Sequence, residues 1–369
     1  MCRNVATIFV SFVIQKLKKR LTLPWVLIQD KSLLRHSFNL SIFLETKVKK
    51  HMIQSLSSPI VLLGLIAIGC FLLIKGANYL VDNATLIAKY FKVPMIVIGM
   101  TVVAFGTSMP EFVVNVIASA SGNPTIALTN VYGSNFINIL VILGLSSVIF
   151  PIKSKPHTIV IDMPIAFAAS CIFLTFNLTG GIVSRFEGVI LLLMFAGFLF
   201  VQYKSSNEDF VVEEEPVEPR LTKWISLMIL GLCFLTGGGQ LIVYGAKNLA
   251  SSMGISESII GLTIVSLGTS LPELATSCVA AYKKNSDLAL GNIIGSNIFN
   301  ILMVIGLSAT ILPLPVYDGV IFDGIVDIFA AILVLLFVIT NKNREIKRWH
   351  GIVFLLCYAI YLTFRILAL

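Results

Sequence analysis

The sequence predicts an all-α membrane protein of ten transmembrane helices, arranged as two inverted five-helix repeats. Three observations lead there. Apolar residues gather in bilayer-length blocks, basic residues crowd onto alternate connections between them, and one long segment recurs with a carboxylate at the matching position.

Of 369 residues, 57% are hydrophobic and 12% charged, against roughly 25% charged in soluble domains. A soluble core could not bury so much apolar surface, whereas a bilayer-crossing helix takes about 20 such residues. From Met52 onward ten apolar segments follow, about 59–80, 94–119, 126–149, 158–177, 186–203, 222–243, 256–281, 288–312, 320–340 and 350–367. They set the domain organisation. A basic N-terminal extension covers 1–51, a first five-helix repeat 52–204, an acidic linker 205–221, and a second, inverted repeat 222–369.

The net charge of +8 sits in the extension. Met1 to His51 hold ten Lys/Arg against Asp30 and Glu45, and the remaining chain has seventeen of each sign. A neutral body offers no basic surface for a nucleic-acid partner. The extension has no small-residue cleavage site like that of a signal peptide, and Met52 is the expected start of translation. A basic, membrane-surface tail is the alternative.

Loops after the odd-numbered segments hold thirteen Lys/Arg, and the opposite side has Arg185, Lys247 and Arg365. Cytoplasmic loops carry the basic excess, so the odd connections should face the cytoplasm and both ends of the ten-helix body the outside. The expected location is the plasma membrane. The linker carries Glu208, Asp209, Glu213, Glu214, Glu215 and Glu218; it reads as a solvated connection rather than a calcium sensor. Six cysteines are scattered singly without a CxxC pair, which leaves no disulfide framework. The four histidines lie outside every motif below, an argument against a transition-metal site.

Laid over each other, 98–146 and 260–308 align without a gap, and 23 of 49 positions are identical. The first copy reads GTSMPE from Gly106 to Glu111 and GSNFINIL from Gly133 to Leu140; the second reads GTSLPE from Gly268 to Glu273 and GSNIFNIL from Gly295 to Leu302. Five spans per half is an odd number, so the second half should be inserted upside down. Inverted repeats are the signature of secondary transporters, whose site lies near the midplane at the repeat interface.

Each GTS(M/L)PE stretch interrupts an apolar span with Gly and Pro, tolerated at membrane depth only where protein or a cavity satisfies the backbone. Thr107 and Glu111 are four apart, as are Thr269 and Glu273, so each pair is expected to share a helix face. Ser134 with Asn138, and Ser296 with Asn300, repeat the spacing. Brought together, the copies form an all-oxygen set with a formal charge of −2. Calcium takes six to eight such oxygens, sodium is similar in size, and the lack of His and Cys disfavours zinc and copper. An ionisable residue at the bilayer centre costs at least ~2.5–3.5 kcal/mol, which makes Glu111 and Glu273 poor choices for mere helix contact. The bland reading of Ser134, Asn138, Ser296 and Asn300 is helix–helix hydrogen bonding. Asn135 and Asn297 are expected to pack. Gly99, Gly133, Gly144, Gly261, Gly295 and Gly306 should permit close helix approach. Asp162, Asp323 and Asp327 read as helix caps or subunit contacts, with ion access as the alternative.

These paired motifs resemble the alpha-repeats of the cation/calcium exchanger superfamily, most closely its prokaryotic sodium/calcium exchangers. The resemblance spans essentially Met52 to Leu369. It implies an antiporter without a prosthetic group, in which sodium runs down its gradient and calcium is expelled. Its partners would be those two ions and the lipid bilayer, and a monomer would suffice for transport. The motif helices would form an ion-binding core across which the first and sixth spans slide. The implied coordinating side chains are Thr107, Ser108, Glu111, Ser134 and Asn138 from one half, and Thr269, Ser270, Glu273, Ser296 and Asn300 from the other. The carbonyls of Ala104 and Ser266 are implied as well. Two positions depart from the family pattern. Asn300 stands where potassium-dependent members carry Asp, which implies no potassium co-transport, and the first copy has Thr129–Asn130 where the second has Gly291–Asn292. A proton/calcium exchanger of the same architecture is the alternative, because two glutamates could equally carry protons. No nucleophile, metal-binding His cluster or catalytic Asp pair points to an enzyme.

Overall fold

The computed structural model describes residues 58–123, 125–206, 220–255, 260, 263, 264 and 266–367. The expectations for 1–51, for most of the acidic linker and for part of the seventh segment (256–259, 261, 262 and 265) lie outside the described residues. The chain divides into two compact units, Met1–Val61 and Leu62–Leu369. The first is described only where the first helix begins, and the architecture below is that of the second.

The helices are α1 (Pro59–Phe91), α2 (Met95–Thr107), α3 (Met109–Ala120), α4 (Ile126–Ile149), α5 (Thr158–Leu178), α6 (Arg185–Ser205), α7 (Leu221–Ser252), α8 (Ser266–Thr269), α9 (Leu271–Tyr282), α10 (Ser286–Ile311), α11 (Val320–Thr340) and α12 (Arg348–Leu367). Among the described residues, eight of these are long and apolar enough to cross a bilayer singly, and α2 with α3 makes a ninth as one span bent by 49°. The expected seventh span is represented by α8 and α9.

Two helices exceed their expected bounds. α1 has 33 residues and α7 has 32, about 50 Å at 1.5 Å per residue, where 59–80 and 222–243 were expected. Hydropathy stops at the first polar residues, but the helix does not. Asn78, Asn83, Thr85 and Asn248 each donate to the carbonyl four residues back, at 2.7–2.8 Å. Their polar groups are thus satisfied without leaving the helix.

α4 and α10 form the centre. In its most apolar stretch α10 is 94% buried and α4 72%, against 17% for α12; the outer helices present apolar side chains such as Phe71, Phe200 and Ile360 outward. α12 packs on the Gly144–Ile149 end of α4, and α6 packs on the Gly306–Ile311 end of α10. Those two ends are counterparts in the repeat, so the packing of one half is completed by the last helix of the other. Two-residue ladders pin the connections in the same crossed manner: β1 (Ile152–Lys153) runs antiparallel to β4 (Glu345–Ile346), and β2 (Ile182–Val183) to β3 (Leu314–Pro315).

Close approach is built from glycine. A Cβ on Gly295 would lie 2.6 Å from Met100 Cα, and one on Gly144 3.2 Å from the Gly351 carbonyl. Gly99 and Gly306 are similarly tight, but Gly133 has nothing within 4 Å of such a Cβ. The expectation of a helix contact at Gly133 is corrected accordingly; Gly261 lies outside the described residues. On α1 and α7, Gly69 meets Gly238 and Gly76 meets Gly231 backbone to backbone, each added Cβ falling 2.7–2.8 Å from the opposite carbonyl oxygen.

The capping role expected for three aspartates is also corrected. Asp162 closes a π-helical turn, Thr158–Asp162, inside α5. Asp323 and Asp327 lie within α11, whose N-cap is Gly319. All three carboxylates are buried in the helix bundle.

Candidate ion-binding site

Both GTS(M/L)PE motifs break the chain at the same place. α2 ends at Thr107, Ser108 leaves helical geometry at φ −82°, ψ 7°, and α3 begins at Met109. α8 ends at Thr269, Ser270 adopts φ −87°, ψ 6°, and α9 begins at Leu271. Pro110 and Pro272 fall in the first turn of the new helix, where a missing N–H costs nothing. Thr107 and Glu111 therefore sit on two helices, not on one face as the spacing suggested. The break places Glu111 and Glu273 in the first turns of α3 and α9, where unbonded N–H groups and the helix dipole favour negative charge.

The halves then exchange hydrogen bonds. Ser108 donates to Glu273 Oε1 at 2.7 Å, and Ser270 donates to Glu111 Oε1 at 3.2 Å. Ser134 adds a long bond to Glu111 Oε1, 3.5 Å. Glu111 is 0% and Glu273 1% exposed, and among the described residues no Lys or Arg forms an ion pair with either.

The central pair, α4 and α10, is tied by four asparagines. Asn135 and Asn297 each donate from Nδ2 to the other's backbone carbonyl, at 3.4 and 3.2 Å. Asn138 Nδ2 donates to Asn297 Oδ1 at 2.9 Å, and Asn300 Nδ2 donates to Asn135 Oδ1 at 3.2 Å. Swapping each residue for its counterpart in the other copy maps this cluster onto itself. Asn138 and Asn300 begin and lie within π-helical turns, Asn138–Leu143 and Phe299–Ile305, a distortion common at functional sites.

The unmet valences decide what the site can do. Six buried side-chain oxygens of the predicted set lack a hydrogen-bond partner: Glu111 Oε2, Glu273 Oε2, Asn138 Oδ1, Asn300 Oδ1, Thr269 Oγ1 and Ser296 Oγ. A buried acceptor left unpaired costs about 1–3 kcal/mol, and here two are carboxylate oxygens. The amides of Asn138 and Asn300 are held by their nitrogens, so their oxygens are the free ends. An all-oxygen set with two negative charges suits a hard cation.

Not every predicted ligand is open. Thr107 donates its hydroxyl among Asn292 Oδ1 (3.1 Å) and the Ala104 carbonyl (3.3 Å). That carbonyl also accepts from Ser108 N–H at 3.0 Å. Ser266 opens α8.

Asn135 and Asn297 pack as expected, joining α4 to α10. Sequence reasoning missed other supporting residues: Asn292 joins Ser277 (2.9 Å) to Thr107. At the matching positions of the first copy, Asn130 donates to Asn115 at 3.2 Å. The signal was present, since Asn130 and Asn292 recur in the repeat. Which face they presented was not, because the relative rotation of α4 and α10 is a tertiary property.

Fold and site define a multi-pass membrane transporter rather than an enzyme. The chain belongs to the sodium/calcium exchanger protein family, which matches residues 61–204 and 223–367. It is 36% identical over 316 residues to a putative antiporter CaxA of Alkalimonas amylolytica, covering 80% of this chain and 96% of that protein. It is 30% identical to the sodium/calcium exchanger MaX1 of Methanosarcina acetivorans, covering 81% and 97%. The solved structure of the sodium-calcium exchanger NCX_Mj superposes with a TM-score of 0.73 at 33% identity, over 83% of this chain and 99% of that one.

Proposed function

We propose that this protein is a secondary active antiporter exchanging sodium for calcium by alternating access. The observation that carries the reading is the set of six unpartnered oxygens drawn from both halves around Glu111 and Glu273. Calcium is bound there by the two carboxylates, whose −2 it neutralises, together with the Asn138 and Asn300 amide oxygens and the Thr269 and Ser296 hydroxyls. Ser108, Ser134 and Ser270 complete the shell, and Thr107 braces it through Asn292. Sodium ions replace calcium at overlapping positions, so the two species are not carried together, and only a loaded site permits the change of access.

The body is proposed to be ten transmembrane helices in two inverted five-helix repeats, with both ends outside the plasma membrane. The names of the relatives, one an exchanger of sodium and calcium and one an antiporter, support transport of this class. The glycine contacts between α1 and α7 support a helix pair able to slide.

Calcium flux into proteoliposomes tests the reading, with an imposed sodium gradient compared with a proton gradient. Sodium should drive uptake, and Glu111→Gln or Glu273→Gln should reduce it at least 100-fold, since each deletes half of the charge that holds the ion. Drive by protons alone would replace sodium with a proton as the coupling ion. Undiminished flux in both variants would remove the site.

A further inference from the structure

A second polar inclusion lies between α4, α5 and α11, and it breaks the internal repeat. Asp327 on α11 is 1% exposed, and both of its carboxylate oxygens lack a hydrogen-bond partner. Ser170 of α5 approaches it without reaching bonding geometry. Tyr132 of α4 stands over Gly324, one turn away on α11, and accepts a hydrogen bond from Asn177 Nδ2 of α5 at 3.0 Å. The Asn177 Oδ1 atom is itself buried and unbonded. Within the gap-free stretch of the repeat, the counterpart of Tyr132 is Ile294, which has no hydroxyl, and Asp327 lies outside both repeated motifs. The doubled ion site thus does not explain this cluster.

The charges of the inclusion are unequal. Asp323 accepts from Tyr317 (2.6 Å) and Tyr361 (3.0 Å), and Arg365 of α12 lies 3.8 Å away. Its charge is matched. The groups near Asp327 are Tyr132 from α4, Ser170 and Cys171 from α5, and Asp323 from its own helix. None is a cation. One unmatched carboxylate remains, at membrane depth, where an ionisable side chain marks a functional site by default.

We propose that Asp327 is a binding site for one monovalent cation, a proton or a sodium ion, separate from the Glu111/Glu273 pair. The single unmatched charge sets the valence. A divalent ion would leave one positive charge unneutralised beside the single unmatched carboxylate of Asp327, whereas at Glu111 and Glu273 two carboxylates meet it. The carboxylate, the Ser170 hydroxyl and the Tyr132 hydroxyl are hard oxygen groups, suited to either ion. Occupancy ties α11 to α4 and α5 on the flank of the central helix α4, outside the set of oxygens assigned to calcium.

The test uses the full-length purified protein with Glu111→Gln and Glu273→Gln, which silence the central pair. Its thermal midpoint is followed against sodium at constant pH and ionic strength, and against pH without sodium. The midpoint should rise with the cation and saturate, and adding Asp327→Asn, which is isosteric, should flatten that dependence. Ser170→Ala should weaken the apparent affinity several-fold. A response to sodium identifies sodium; a response to pH alone identifies the proton. Equal dependence with Asp or Asn at 327, or no dependence in the silenced background, overturns the proposal.

Discussion

Replacing Asn297 by Ala separates a residue that orients a ligand from one that only joins helices. The side chain makes two bonds, accepting from Asn138 Nδ2 at 2.9 Å and donating to the Asn135 carbonyl at 3.2 Å. The reverse bond, from Asn135 to the Asn297 carbonyl, involves backbone and survives. Side-chain hydrogen bonds between membrane helices average about 0.6 kcal/mol and reach about 1.7, so losing two lowers stability by about 1–3 kcal/mol. The larger effect falls on the ion. Without the Asn297 acceptor the Asn138 amide can rotate, and its oxygen is no longer aimed by its nitrogen. Loss of a group that orients a metal ligand typically costs 10–100-fold in affinity, which is about 1.4–2.8 kcal/mol. Calcium affinity, from the concentration dependence of flux in proteoliposomes, should therefore weaken 10–100-fold while folded protein is still recovered. Asn138→Ala should weaken it similarly, and the double variant should cost less than the sum of the two. Unchanged calcium affinity beside a lowered melting temperature would refute the orienting role and leave Asn297 as helix glue.

Two further outcomes follow from the same geometry. Gly76→Ala and Gly238→Ala each drive a methyl group to 2.7 Å from a backbone carbonyl of the facing helix; overpacking of this kind costs about 1–3 kcal/mol. Both should lose stability and most exchange activity, whereas Gly133→Ala, with open space around it, should match the parent in melting and in flux. Ser108→Ala removes the 2.7 Å bond to Glu273 and Ser270→Ala the 3.2 Å bond to Glu111. Hydrogen bonds to a charged group contribute about 1.5–3 kcal/mol, so calcium affinity should fall at least tenfold in Ser108→Ala and less in Ser270→Ala; the opposite ranking would argue against the crossed pairing.

The candidate site could be proposed from the residues alone because the repeat doubles its motifs. Thr107, Ser108 and Glu111 recur at Thr269, Ser270 and Glu273, and a carboxylate inside an apolar span has few structural uses. Composition likewise makes the chain a membrane protein, since hydropathy is a sum over local residues. The errors arose where a property was not local. α1 and α7 run past their apolar stretches, and there Asn83 and Asn248 satisfy their amide nitrogens on carbonyls of their own helices. Glu111 lies across a helix break from Thr107, so a four-residue spacing misjudged the face.

What the sequence determined by itself is the inventory: apolar spans, two copies of a motif, two carboxylates among amides and hydroxyls. Only the tertiary structure decided which oxygens are left unbonded. Glu111 meets Ser270, Glu273 meets Ser108, and the Asn135–Asn297 contact turns the Asn138 and Asn300 oxygens free. Each of those pairings joins residues from opposite halves of the chain, and it depends on how α4 and α10 are rotated against each other. No local pattern encodes that rotation. It is held by the reciprocal Asn135–Asn297 bonds and by the cost of leaving a buried amide nitrogen without an acceptor, while Gly295 sets how closely α10 meets α2.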